Sequence, residues 1–166
     1  MANANLESMF KDSLRDIYYA EHKILKALPK MTRAAQSADL KAAFEQHRAE
    51  TEGQVERLEQ IFEMLGEDPE GKVCAAINGI LDEGEEVMET YKNSAALDAG
   101  LVASAQAVEH YEIARYGTLA SWAACLGMPD AQALLEDSLA EETATDEALA
   151  DLAESSINDA ALDEAA

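Results

Sequence analysis

The chain has 166 residues, enough for one domain with a buried core and too few to require a second. Ala, Leu, Glu, Gln and Met are plentiful, and with only 8 Gly, 3 Pro and 5% aromatics the composition lacks the β-branched and aromatic enrichment of strands, so an all-α fold is expected. A net charge of −22 and a pI near 4.2 argue against nucleic acid and anionic membrane as partners, because a polyanion is repelled at long range, while cations are concentrated.

Charge alone does not define chemistry, since the same acidity also serves solubility or salt tolerance. Cys74 and Cys125 lie far apart without the paired spacing of a zinc or redox motif, which suits a reducing cytoplasm. The opening residues have no basic region followed by an apolar run, and no long apolar stretch occurs. Neither secretion nor membrane spanning is expected.

In chain order, Leu6, Phe10, Leu14, Ile17, Glu21, Ile24 and Leu28 recur at steps of three and four, the stripe of a helix facing a bundle core. Pro29 predicts a kink or local break before the apolar face resumes at Met31, with the helix ending near Ser37. A second helix is expected from Asp39 as N-cap, carrying Leu40, Phe44, His47, Thr51, Gln54, Leu58, Ile61 and Leu65 inward, and ending at Gly66 and Pro69. Residues 73–91 read as a shorter helix within a long crossover.

The next long helix, over residues 96–126, turns Leu101, Ala105, Val108, Glu109, Glu112, Tyr116 and Leu119 inward before Gly127 and Pro129. The last begins near Asp130 and places Leu135, Leu139, Glu142, Asp146, Leu149 and Ala153 on one stripe. Residues 1–157 are therefore expected to form one domain, and 158–166 an acidic frayed tail. Two antiparallel hairpins joined by a long crossover with a shorter fifth helix give a ferritin-like four-helix bundle.

Each long helix interrupts its apolar stripe with an acid or amide: Glu21, Gln54, Glu109 with Glu112, and Glu142 with Asp146. Several carboxylates in one core repel strongly unless protonated, paired with bases or neutralised by a cation. Counted from the first turn, Glu21 and Gln54 lie about 16 residues away, roughly 25 Å, with Glu50 one turn nearer. Counted from the second, Glu112 and Glu142 lie about 15 residues away, and Glu109 and Asp146 about 18. The acids of each hairpin are level.

Glu50 with Gln54 and Glu142 with Asp146 share an i, i+4 spacing that puts each pair on one helical face, and Glu50 and Glu142 are the expected bridging carboxylates. Oxygen donors suit iron or manganese before copper or zinc. The customary Glu-x-x-His is missing, because Gly53 follows Glu50 at i+3 and Thr145 follows Glu142. His47, on the inward stripe, is either a ligand, a group that orients one, or a core histidine bonded to a carboxylate. His22 and His110 sit about 100° round their helices from the inward glutamates, off the site. Tyr18, Tyr111 and Tyr116 are expected to pack in the core more often than to bond site carboxylates, and Glu83, Glu85, Glu86 and Glu89 to form a solvated face.

Three stretches resemble the YciE/YciF family of ferritin-like bacterial stress proteins. They are Ala20-Glu21-His22-Lys23 with Ala27-Leu28-Pro29-Lys30-Met31, the run from His47 through Glu50 and Gln54 to Leu58, and Val108-Glu109-His110-Tyr111-Glu112-Ile113-Ala114-Arg115-Tyr116-Gly117-Thr118. The resemblance, from about Leu6 to Ala153, implies a rubrerythrin-like bundle, a homodimer and a di-iron centre in bacterial cytoplasm under stress. Carried over by motif, the metal ligands are Glu21, Glu50, Gln54, Glu109, Glu112, Glu142 and Asp146. Two functions follow as expectations: a di-metal protein that handles oxidants or iron, and a non-enzymatic stress or interaction protein with a structural or vestigial site.

Overall fold

A computed structural model describes residues 5–162; residues 1–4 at the N-terminus and the end of the expected acidic tail, 163–166, lie outside the described residues. The described chain is helical: α1 (Leu6–Ala34), α2 (Ala38–Leu65), α3 (Ala75–Thr90), α4 (Leu97–Cys125) and α5 (Pro129–Leu152), followed by a π-helical turn (Ala153–Ile157) and a last helical turn (Asn158–Ala160). The tail expected from residue 158 is thus helical through Ala160, anchored by the buried Ile157.

Local chemistry fixes the ends. Asn5 caps α1 by accepting the Ser8 N–H at 2.9 Å while the Ser8 hydroxyl accepts the Asn5 N–H, a reciprocal capping box. Ser37, not Asp39, caps α2, because Ser37 holds the extended backbone that frees its hydroxyl to accept the Leu40 N–H. Asp39 falls in the first turn, where its charge complements the helix dipole. Gly66 and Gly127, at φ of 67° and 72°, close α2 and α4 with paired backbone bonds that satisfy the last carbonyls.

The break expected at Pro29 does not occur: α1 runs through it to Ala34, short of the expected Ser37. The proline removes one backbone donor, but the turns around it are pinned by Leu28 and Met31, both buried in the core.

Hydrogen bonds between helices show the directions. Glu50, Gln54 and Arg57 along α2 meet Thr145, Glu141 and Ser138 in descending order along α5, so the two are antiparallel. At the opposite edge, the buried Asp98 at the start of α4 accepts the Gln36 and Ser37 N–H groups at 2.8 and 2.6 Å, tying the α1–α2 turn to α4. α1 therefore runs against α4, each neighbour in the four-helix bundle is antiparallel, and α3 crosses outside against α4 and α1. A Cβ on Gly100 would come within 2.6 Å of Val87 Cγ1, so glycine there permits close approach of α3.

Phe10, Leu14, Ile17, Phe44, Leu58, Ile61, Leu101, Leu119 and Leu135 fill the core on both sides of the polar layer described below. Asp98→Ala leaves two backbone donors of the α1–α2 turn without their carboxylate, and a loss of about 1–3 kcal/mol is expected in urea unfolding. An unchanged midpoint would contradict the clasp.

Candidate metal centre

The four long helices meet around a layer of buried polar side chains. α1 contributes Glu21, α2 His47 and Gln54, α4 Glu109 and Glu112, and α5 Glu142, each at most 3% exposed. Donor atoms of His47, Glu109, Glu112 and Glu142 all lie within 4.8 Å of one another. His47 Nε2 is 3.3 Å from Glu109 Oε1, and its Nδ1 is 4.0 Å from Glu142 Oε2. Glu21 enters from the other side, accepting a short hydrogen bond from the buried Tyr116 hydroxyl and facing Glu112.

The layer is short of partners. Nine buried side-chain nitrogen or oxygen atoms among the described residues make no hydrogen bond, and all belong to Glu21, His47, Gln54, Glu109, Glu112 and Glu142. Native cores pair such atoms, each orphan costing about 1–3 kcal/mol. Here the unpaired atoms converge, and this buried His/Glu group could hold a metal ion.

Desolvation dominates the electrostatics. Burial, reinforced by the Glu142 charge, pushes the Glu21 carboxyl up from its ordinary range to about 8. Burial, then the neighbouring Glu142 carboxyl and its charge, push Glu109 to about 11. Glu112 rises well above the carboxylate range through burial and then the charge of Glu21, and Glu142 rises through burial, opposed by the nearby Glu109 and Gln54 side chains. Burial lowers His47 to about 4, so its imidazole is neutral and offers lone pairs rather than charge.

Two expected ligands stand at the rim. Glu50 is half-buried on the α2–α5 seam, where it accepts Gln46 Nε2 at 2.9 Å and the Thr145 hydroxyl at 3.2 Å. Asp146 is likewise half-buried between α4 and α5, accepting Gln106 Nε2 and contacting His110 Nε2, both at 3.1 Å. His110 is exposed and His22 packs edge-on against Tyr18, so neither reaches the layer.

Of the three tyrosines, Tyr18 bonds Glu59 and Tyr111 lies 3.1 Å from Cys74 Sγ, whereas Tyr116 bonds a core carboxylate directly. Arg57 and Glu141, outside the residues expected at the site, form a two-armed ion pair at 2.5 and 2.7 Å against Gln54. The one available signal was that Arg57 follows Gln54 at i+3 on the same face.

A family profile described as a domain of unknown function, DUF892, matches residues 5–162. The chain belongs to this family. This DUF892 chain is similar to Protein YciF of Escherichia coli K12, at 43% identity over 154 residues that cover 92% of this chain and 93% of that protein. The crystal structure of the E. coli stress protein YciF superposes with a TM-score of 0.89 at 42% identity, covering 93% of this chain and 98% of that one. YcfI of Rhodopseudomonas palustris, provisionally described as a structural protein, gives 0.87 at 45% identity over 90% and 97% of the two chains. A Xanthomonas campestris protein at 23% identity, TM-score 0.74, shares the fold over 94% of this chain and 96% of that one.

The pKa directions set a pH dependence for the metal-free protein. Glu21 and Glu109 keep protons in the folded state that the unfolded chain has already released, so their contribution to stability is lost as pH rises from the ordinary carboxylate range toward about 8 and about 11. His47, lowered to about 4, acts oppositely: its contribution is lost as pH falls below its ordinary value of 6.5. Because two raised carboxyls outweigh one lowered histidine between the ordinary carboxylate range and 6.5, melting of chelator-treated protein should peak at about pH 4–5 and fall toward pH 9. A Tm that climbs steadily through that range would contradict the assignment.

Proposed function

We propose that this layer binds two divalent metal ions, iron or manganese, and that the protein handles oxidants or iron during stress in the cytoplasm. The observation that carries the reading is the convergence of nine orphaned donor atoms from all four long helices, with four carboxylates and no buried protein cation among them. Two divalent ions would match the charge of Glu21, Glu109, Glu112 and Glu142. The donors fit such ions, being carboxylate oxygens plus one neutral imidazole.

His47, Glu109, Glu112 and Glu142 would hold one ion, and Glu21, sharing Glu112 as neighbour, would reach the second. Glu50 and Asp146 would join from the rim only by leaving the hydrogen bonds that now satisfy them. Bound iron or manganese supplies one-electron redox chemistry. The chain's own residues do the rest: the apolar core excludes bulk water, Tyr116 holds a proton against Glu21 Oε1, and the raised carboxyls release theirs when cations arrive.

The association with stress rests on the similarity to the stress protein YciF. Both cysteines are free, which suits a reducing cytoplasm, and the resemblance carries a homodimer as part of the same proposal. A second reading, a structural role in which the ions only brace the bundle, is favoured by the provisional description of YcfI.

Anaerobic loading with ferrous iron should give roughly two ions per chain and speed peroxide consumption above that of the metal-free protein. Glu112→Gln should raise the metal-free Tm, because the amide is neutral without having to hold a proton above the ordinary carboxylate range, yet weaken metal affinity by at least the 10- to 100-fold that even loss of an orienting partner costs. Stoichiometric binding without peroxide turnover would favour the structural reading. Trace binding would sink both.

A further inference from the structure

The buried layer has one neutral amide, and its orientation is not left to chance. Gln54 is fully buried; its Nε2 donates to Glu141 Oε2 at 3.1 Å, while its Oε1 is buried without any donor. Glu141 can only accept, because Arg57 grips both of its oxygens, at 2.7 and 2.5 Å, and also reaches the Ser138 hydroxyl at 3.2 Å. An ionised carboxylate must face the amide N–H end and would repel the carbonyl end. The pair lies about a quarter exposed at the bundle wall, outside the four-carboxylate layer, so Arg57 neutralises Glu141 without neutralising the layer.

We propose that Arg57 and Glu141 are positioning residues of the metal centre, acting through Gln54. By taking the amide N–H, the pair fixes which end of Gln54 is left free and presents Oε1 as a neutral oxygen donor to the bound metal. The proposal rests on the metal reading above and deepens it. It also explains an amide at position 54: a fifth carboxylate in the layer would exceed the charge that two divalent ions balance.

The test uses purified, full-length, metal-free protein titrated with manganous ion and compared with Glu141→Gln, Gln54→Leu and the double variant, all checked for unchanged helical circular dichroism. Glu141→Gln should weaken manganese binding about 10- to 100-fold, as expected for loss of a group that orients a ligand. The same substitution should have almost no further effect in the Gln54→Leu background, because its action passes through the amide. Arg57→Lys should fall between the unsubstituted protein and Glu141→Gln, since it keeps charge but loses the two-armed grip.

A second readout needs no metal. The Gln54 side-chain NH2 signals should be sharp and exchange-protected in the unsubstituted protein and lose that protection in Glu141→Gln. If the unsubstituted protein takes up manganese and Glu141→Gln binds it within twofold, or the two substitutions weaken binding additively, the proposal is overturned. Failure of the unsubstituted protein to bind would overturn the metal reading itself, and with it the ligand role of Gln54. Protected amide signals would then mark Glu141 as a purely structural partner.

Discussion

The structure depends on the burial of four glutamates in the centre of a helical bundle with no protein cation among them. Every other feature of the interior accommodates that cost. Apolar side chains close both ends of the layer, a buried tyrosine supplies one hydrogen bond, and the carboxyls retain protons far above their ordinary range. Burying a charge is costly enough that groups shift their pKa rather than ionise unpaired. A core selected for stability alone would replace these glutamates with leucine. Their convergence from three helices, with His47 and Gln54 added from the fourth, is what the proposed metal reading accounts for.

The bundle architecture makes that convergence possible. Antiparallel packing of all neighbouring pairs lets residues counted outward from two separate turns arrive at one level. The Asp98 clasp contributes by joining the turn of one hairpin to the start of the other, which sets the register between hairpins. The glycine that admits α3 against α4 lets the crossover cover the bundle without displacing it.

Much of this was legible in the sequence. Periodicity located the helices to within a few residues, and the acid and amide interruptions of the apolar stripes named five residues of the buried layer, while His47 stood on the same inward stripe with its role left open. What escaped depended on other helices. Glu50 shares a face with Gln54, but it lies about 60° round α2 from His47, at the stripe's edge, where Thr145 of α5 satisfies it. Asp146 is diverted in the same way by Gln106 and His110. Arg57 and Glu141 look like ordinary surface charges in one dimension and acquire their role only when α2 and α5 are side by side. At Pro29, local breaking tendency yields to tertiary packing on either side.

The claim that matters most is that the polar layer is a metal site rather than a set of protonated core acids. An anomalous-scattering map from crystals of the protein grown anaerobically with ferrous iron tests it most directly. Two peaks enclosed by Glu21, His47, Glu109, Glu112 and Glu142 are the predicted result. A map with no peak in that layer, or with iron only on the acidic surface, would contradict it.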